Sequence, residues 1–190
     1  MKIQFIPLDF STFDYQGKNY IQLIGRTDKG KRVAVIDNYE ANFWAILKKD
    51  LSTKKIQEIK ENILDIKIES PSRVTKIEKV ELHNKKFLGK DVQALRVFVT
   101  NHKDSHAIAD QMGWPEIEKR REYDVPIISK YIIEKKISPF NFYEVEGQIL
   151  NNSPEFGGID SSLDVDICLK AEKISLSPDQ PIFKPKILAF

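Results

Sequence analysis

Apolar and polar positions alternate over the first part of the chain. Residues 2–10 are apolar and rich in strand formers. Residues 20–24 alternate, with Tyr20, Gln22 and Ile24 on one face and Ile21 and Leu23 on the other. Residues 32–36 and 43–47 are further apolar runs. Gly-bearing turns at 15–19 and 27–30 separate these strands and predict a hairpin from 20–24 into 32–36. The period then changes. Ser52 can cap a helix whose stripe is Ile56, Ile59 and Ile63, with Lys54, Lys55, Glu58 and Glu61 opposite. Alternation returns over 74–82. There Lys76, Glu78, Val80 and Leu82 face one way and Thr75, Ile77, Lys79 and Glu81 the other. Residues 84–90 read as a connector and 95–99 as a buried strand.

A short helix is predicted from Asp104 or Ser105 through Ile108 and Met112. Another has Asp124 as N-cap, Pro126 in its first turn, and Ile127, Ile128, Tyr131 and Ile132 as its apolar face; Ser138-Pro139 stops it. Residues 142–147 begin a strand. Residues 151–162, with Pro154, Gly157 and Gly158, read as an exposed loop or linker, and 163–174 alternate. Residues 186–190 form a strand signal with no polar residue after it, so the natural chain is expected to continue. Together these elements predict an α+β fold: mixed, largely antiparallel sheets with two or three packed helices.

Composition narrows the class. A chain of 190 residues that is 41% hydrophobic and 31% charged can bury a core without disulfides. No apolar run approaches the roughly 20 residues that cross a bilayer, so no membrane partner is expected. Cys168 is the single cysteine and cannot pair within the chain, which fits a reducing cytoplasm. The net charge of +2 is uneven: residues 141–190 hold four bases against eight acids, leaving +6 on residues 1–140. Basic clusters such as Lys85-Lys86 and Lys119-Arg120-Arg121 make those five residues candidates to face a polyanion.

Candidate chemistry is sparse. His102 and His106 are four apart but lack a third ligand nearby. Asp164 and Asp166 share a strand face, as solvent-facing polar positions also would. Cys168 reads as a buried structural thiol. There is no phosphate loop and no nucleophile elbow. The residues assign no catalytic or metal site. They leave open a stand-alone nucleic-acid-binding or interaction module, and a small enzyme whose site escapes sequence reading.

Four stretches resemble one family. Lys76-Ile77-Glu78-Lys79-Val80 leads to Lys86-Phe87-Leu88-Gly89-Lys90 and the strand 95–99. Glu122-Tyr123-Asp124-Val125-Pro126 is followed by Lys130-Tyr131-Ile132-Ile133-Glu134-Lys135 and Ser138-Pro139. The others are residues 39–50 and the terminal 186–190. In family order, they are similar to the N-terminal region of family B DNA polymerases of the archaeal type. The resemblance covers most of residues 1–140, while 141–185 match mainly in position.

The resemblance implies a non-catalytic, template-contacting N-terminal domain over 1–140. It also implies a strand-rich extension over 141–190, leading into a 3′→5′ exonuclease domain just before its first metal-binding acid. The parent would be a DNA polymerase using Mg²⁺, cytoplasmic and nucleoid-associated. Its partners would be single-stranded template, the other polymerase domains and, through parts absent here, a sliding clamp. In euryarchaeal members a pocket captures template uracil. The matching positions are Phe10, Ala41, Asp104, Ser105, Ile127 and Lys130. Ala41, Ser105, Ile127 and Lys130 depart from the usual Pro, Val, Phe and Arg. Against that pattern Ser105 puts a hydroxyl where an apolar wall closes over the base, and Ala41 lacks the rigidity of Pro.

Overall fold

Gln16 and Gly17 both take left-handed φ, 49° and 73°, and so close a two-residue hairpin of the kind that matches strand twist. It joins β1 (Lys2–Tyr15) to β2 (Lys18–Arg26), and the second turn leads into β3 (Arg32–Asn38). The computed structural model describes residues 1–182, so the expected strand at the chain end lies outside the described residues. Compactness divides the chain into two units. The first comprises Met1–Tyr15, Tyr20–Tyr39 and the chain from Ile128 on; the second comprises Gln16–Asn19 and Glu40–Ile127. The described residues hold ten strands and four helices, the expected α+β class, with strands dominating.

The first unit is a closed five-stranded barrel in the order β1-β2-β3-β10-β9. Helix α3 (Ile127–Lys135) precedes β9 (Tyr143–Ile149), and the one-turn helix α4 (Ile159–Ser162) precedes β10 (Ile167–Leu176). β1 closes antiparallel on β9, with Phe5 opposite Tyr143. β10 runs parallel to β3, with Leu169 opposite Val35. One face of these strands, carrying Ile21, Leu23, Val33, Val35 and Leu169, is fully buried. Gly25 lies on that face where an added Cβ would meet the Ile6 carbonyl oxygen at 2.1 Å, so the strand has no room for a side chain there.

The opposite face is buried as well, by the segment expected to be an exposed loop. Phe156 packs there with Tyr20, Ala34, Ile36, Leu150 and Cys168, and Ile159, Leu163 and Val165 close around them. Leu163 and Val165 therefore belong to this strap, and β10 begins at Ile167, not at 163. The apolar spacing of Phe156, Ile159 and Leu163 is what pulls a Gly- and Pro-bearing stretch onto the barrel.

The second unit is a five-stranded sheet in the order β5-β6-β7-β4-β8. Its elements are β4 (Asn42–Leu47), α1 (Thr53–Leu64), β5 (Lys67–Ser70), β6 (Arg73–Phe87), β7 (Lys90–Val99), α2 (Ser105–Gln111) and β8 (Ile117–Arg121). Ser52 caps α1 as expected, accepting a hydrogen bond from the Lys55 N–H, and Ile56, Ile59 and Ile63 are buried.

Two expectations change in this unit, and one strand has no counterpart in the sequence pattern. The supposed connector 84–90 is a hairpin tip, because β6 continues to Phe87 and Leu88-Gly89 turn with φ of 48° and 78°. The two faces assigned to 74–82 do not hold along the strand. A bulge shifts register between Ile77 and Lys79, so Thr75 and Ile77 are buried before it and Val80 after it. The basic cluster at 119–121 is an edge strand; a run with one apolar residue, Ile117, carries little strand signal.

Candidate nucleic-acid interface

β4 lies between β7 and β8, and its alternation sorts the sheet into two faces. Phe43, Ala45, Leu95 and Val97 point to the helical side and are completely buried. Arg120, opposite Ala45 on β8, marks that side, because its guanidinium donates to the Ala109 carbonyl of α2. Trp44 and Ile46 point the other way. Across β7 they meet Arg96 and Ala94, across β8 Arg121 and Lys119, and β6 adds Lys79, Glu81, His83, Lys85 and Phe87.

This second face is a set of aromatic rings covered by cations. The Lys85 ammonium sits 3.5 Å from the Trp44 ring centroid, and the Arg96 guanidinium carbon lies 5.5 Å from Trp44 and 4.9 Å from Phe98. Lys79 lies 4.2 Å from the Phe98 ring and bonds Glu40 at 3.0 Å. Lys119 and Arg121 flank Phe87 at 5.7 and 5.3 Å. Arg96 is aimed by its Nε donating to the Asn42 side-chain oxygen at 3.0 Å. Each cation–ring contact is worth about 0.5–1 kcal/mol at an exposed site and about 2 kcal/mol when desolvated, and Trp44 and Phe98 are buried beneath their cations.

A groove of about 720 Å³ opens at the end of this face beside the β6–β7 tip, lined among others by Lys48, Lys49, Lys85, Lys86, Phe87 and Lys119. Of the expected basic residues, Lys85, Lys86 and Lys119 are thus brought together, Arg121 joins them over Phe87, and Arg120 turns to α2. Sequence reading missed Trp44, Arg96 and Phe98, whose even-numbered alternation on β4 and β7 is the signal that could have found them. Strand order adds to the picture. With the short β5 set aside, β4-α1-β6-β7-α2-β8 follows a β-α-β-β-α-β order.

The positions matched to a base pocket fall in both units. Phe10 lines an apolar recess of about 220 Å³ with Leu8, Ile132, Ile137 and Phe140 in the barrel unit, and Lys130 is buried on α3. Ala41, Asp104, Ser105 and Ile127 belong to the sheet unit. Asp104 is engaged in structure. Arg73 donates to it at 2.8 and 2.7 Å and Thr75 at 2.5 Å, and the Arg73 bonds hold its carboxyl below the usual range.

The remaining titratable candidates have structural partners. His102 contacts the Asn19 side-chain oxygen at 3.1 Å and His106 contacts Asp110 at 3.2 Å. Asp164 and Asp166 both hold Arg32. Cys168 is fully buried, which pushes its thiol up to about 11. Among the described residues no group of three or more His, Cys, Asp or Glu could hold a metal ion, and no helix is long and apolar enough to cross a membrane.

No family model matches the chain. A DNA polymerase of Thermococcus kodakarensis is 30% identical over 135 residues, 70% of this chain and 8% of that protein. A DNA polymerase of Pyrococcus glycovorans is 28% identical over 135 residues, again 70% of this chain and 16% of that protein. Among solved structures, the family B DNA polymerase of the hyperthermophilic archaeon Pyrobaculum calidifontis matches with a TM-score of 0.73 at 20% identity, over 95% of this chain and 21% of that one. The chain thus spans a small share of the length of the proteins it matches. By sequence and by fold, it is similar to archaeal family B DNA polymerases, of which it corresponds to a small part.

Proposed function

We propose that the chain is the non-catalytic N-terminal part of a family B DNA polymerase and that it holds single-stranded template DNA. Catalysis, 3′→5′ exonuclease proofreading and Mg²⁺ binding would reside in other parts of that polymerase, as would contact with a sliding clamp. The observation that supports the reading is the face of Trp44, Phe87 and Phe98 ringed by Lys85, Arg96, Lys119 and Arg121. It combines aromatic rings with cationic partners for phosphate.

Binding of a (dT)12 oligonucleotide across a salt series tests this. Lys85→Glu with Arg121→Glu is expected to weaken binding at least about tenfold and to lower the salt slope by roughly two. Trp44→Ala is expected to weaken it about tenfold at an unchanged slope. Equal affinity of all three proteins overturns the assignment of the face. The pocket inferred from family likeness has its own test. If Phe10, Ala41, Asp104, Ser105, Ile127 and Lys130 retain base capture, an oligonucleotide with one uracil binds more tightly than its thymine counterpart.

A further inference from the structure

The barrel carries a second aromatic face, and the chain itself lies across it. Numbered within the barrel, the strands run first, second, third, fifth, fourth, with the third and fifth parallel. That is the order of the five-stranded OB barrels, which take oligonucleotides on the outer face of strands two and three and under the loops joining one to two and four to five. Here the loop from the fourth strand to the fifth is the segment 150–166, and it covers that outer face.

The covering segment has the chemistry of the ligand it excludes. Residues 151–166 contain Glu155, Asp160, Asp164 and Asp166 and no Lys or Arg. The Glu155 carboxylate takes the Lys170 ammonium at 2.5 Å. Asp164 takes the Arg32 guanidinium, and Asp166 accepts the Arg32 backbone N–H at 2.7 Å. Between these anions Phe156 enters a nest of rings, its centroid 5.7 Å from Phe13, 5.2 Å from Tyr15 and 4.8 Å from Tyr20. Its backbone is left-handed, φ 54°, and is followed by Gly157 and Gly158 at 70° and 73°. A phenylalanine seldom adopts that conformation, and here the turn it makes delivers the ring to the nest.

We propose that this face is a single-stranded nucleic-acid site held closed by the strap, which imitates a nucleotide, with Phe156 in the place of a base and Glu155 in the place of a phosphate. Single-stranded nucleic acid then competes with the strap for Tyr20, Lys170 and Arg32. The inference is independent of the sheet face. Its tests are run in the Lys85→Glu, Arg121→Glu background so that a failure of either reading is seen separately.

The first test replaces residues 153–163 of the full chain by a Gly/Ser segment of equal length. Affinity for (dT)12 is expected to rise at least tenfold, and the gain is expected to vanish when Lys170→Gln is added. A folded replacement protein with unchanged affinity, or a gain indifferent to Lys170, overturns the proposal. The second test leaves the strap intact and follows its deuterium uptake. Uptake over 153–163 is expected to rise with (dT)12 raised to millimolar concentration, and unchanged uptake overturns the proposal. If the replacement protein does not fold, the uptake result decides alone.

Discussion

The barrel and the sheet both shield aromatic rings, but with different material. On the sheet, Trp44 and Phe98 are covered by the side chains of Lys79, Lys85 and Arg96, which can swing away one at a time. On the barrel, Tyr20 and its neighbours are covered by Phe156, which is tied to a folded segment with its own apolar contacts. Uncovering a sheet ring means moving two separate side chains, Lys85 and Arg96 over Trp44 or Lys79 and Arg96 over Phe98; uncovering the barrel rings requires a whole loop to move. Trp44 and Phe98 are thus as buried as Tyr20, but under separate side chains in one unit and under a continuous segment in the other.

The largest perturbation separates the two by backbone space. In β9, Gly147→Ala would place a Cβ 2.0 Å from the Lys170 carbonyl oxygen, and β10 cannot yield without breaking the ladder. A loss of about 3 kcal/mol or more is expected. Hydrogen exchange should rise in β9 and β10 more than in β4 and β7, and a uniform rise would deny the barrel its separate core.

Asp104→Ala attacks the other unit. It leaves the fully buried Thr75 hydroxyl and the half-buried Arg73 without their shared carboxylate, a loss of about 2–3 kcal/mol in urea unfolding. The same carboxylate makes the sheet acid-sensitive. Its folded pKa is depressed, chiefly by the Arg73 hydrogen bonds, so its stabilisation is present above the ordinary Asp value of about 3.9 and is lost as pH falls below it. Unfolding measured at pH 6 and pH 3 should show that drop in the natural chain and a smaller one in Asp104→Ala.

Smaller effects sharpen the contrast between the two kinds of cover. Tyr131→Phe removes the hydroxyl that donates to Asp37 at 2.8 Å on the barrel. Lys135, at 3.0 Å, still holds that carboxylate, so about 1 kcal/mol is expected by calorimetry. Lys85→Met removes one cation from above Trp44 and should change stability by only about 0.5 kcal/mol. A larger loss would mean that the lysine cover is as structural as the strap.

Local signals in the chain were read well where the period was clean. The Ser52-capped helix, the Gly17 and Gly30 turns, the buried strand ending at Val99 and the burial of Cys168 all follow from nearest-neighbour patterns. Reading failed where a long-range partner overrides the pattern. The bulge after Ile77 exists because β6 must follow β7. The edge strand at 117–121 exists because β4 offers it a ladder. The strap at 151–166 looks like a linker until the barrel supplies a face for Phe156. The candidate interface was half legible: Lys85, Lys86, Lys119 and Arg121 stand out as clustered charge, whereas Trp44, Arg96 and Phe98 read as ordinary strand residues.

By itself the order of residues determined the class of fold, the separate helices and hairpins, the basic character of residues 1–140 and the likeness to archaeal polymerases. Those properties depend on spacing along the chain, which is visible without folding. Tertiary structure alone decided that β3 and β10 run parallel, that an acidic loop lies on the barrel, and that rings from β4, β6 and β7 share one cationic face. Such juxtapositions join residues scores of positions apart, and only strand pairing and the burial of both sheet faces bring them together.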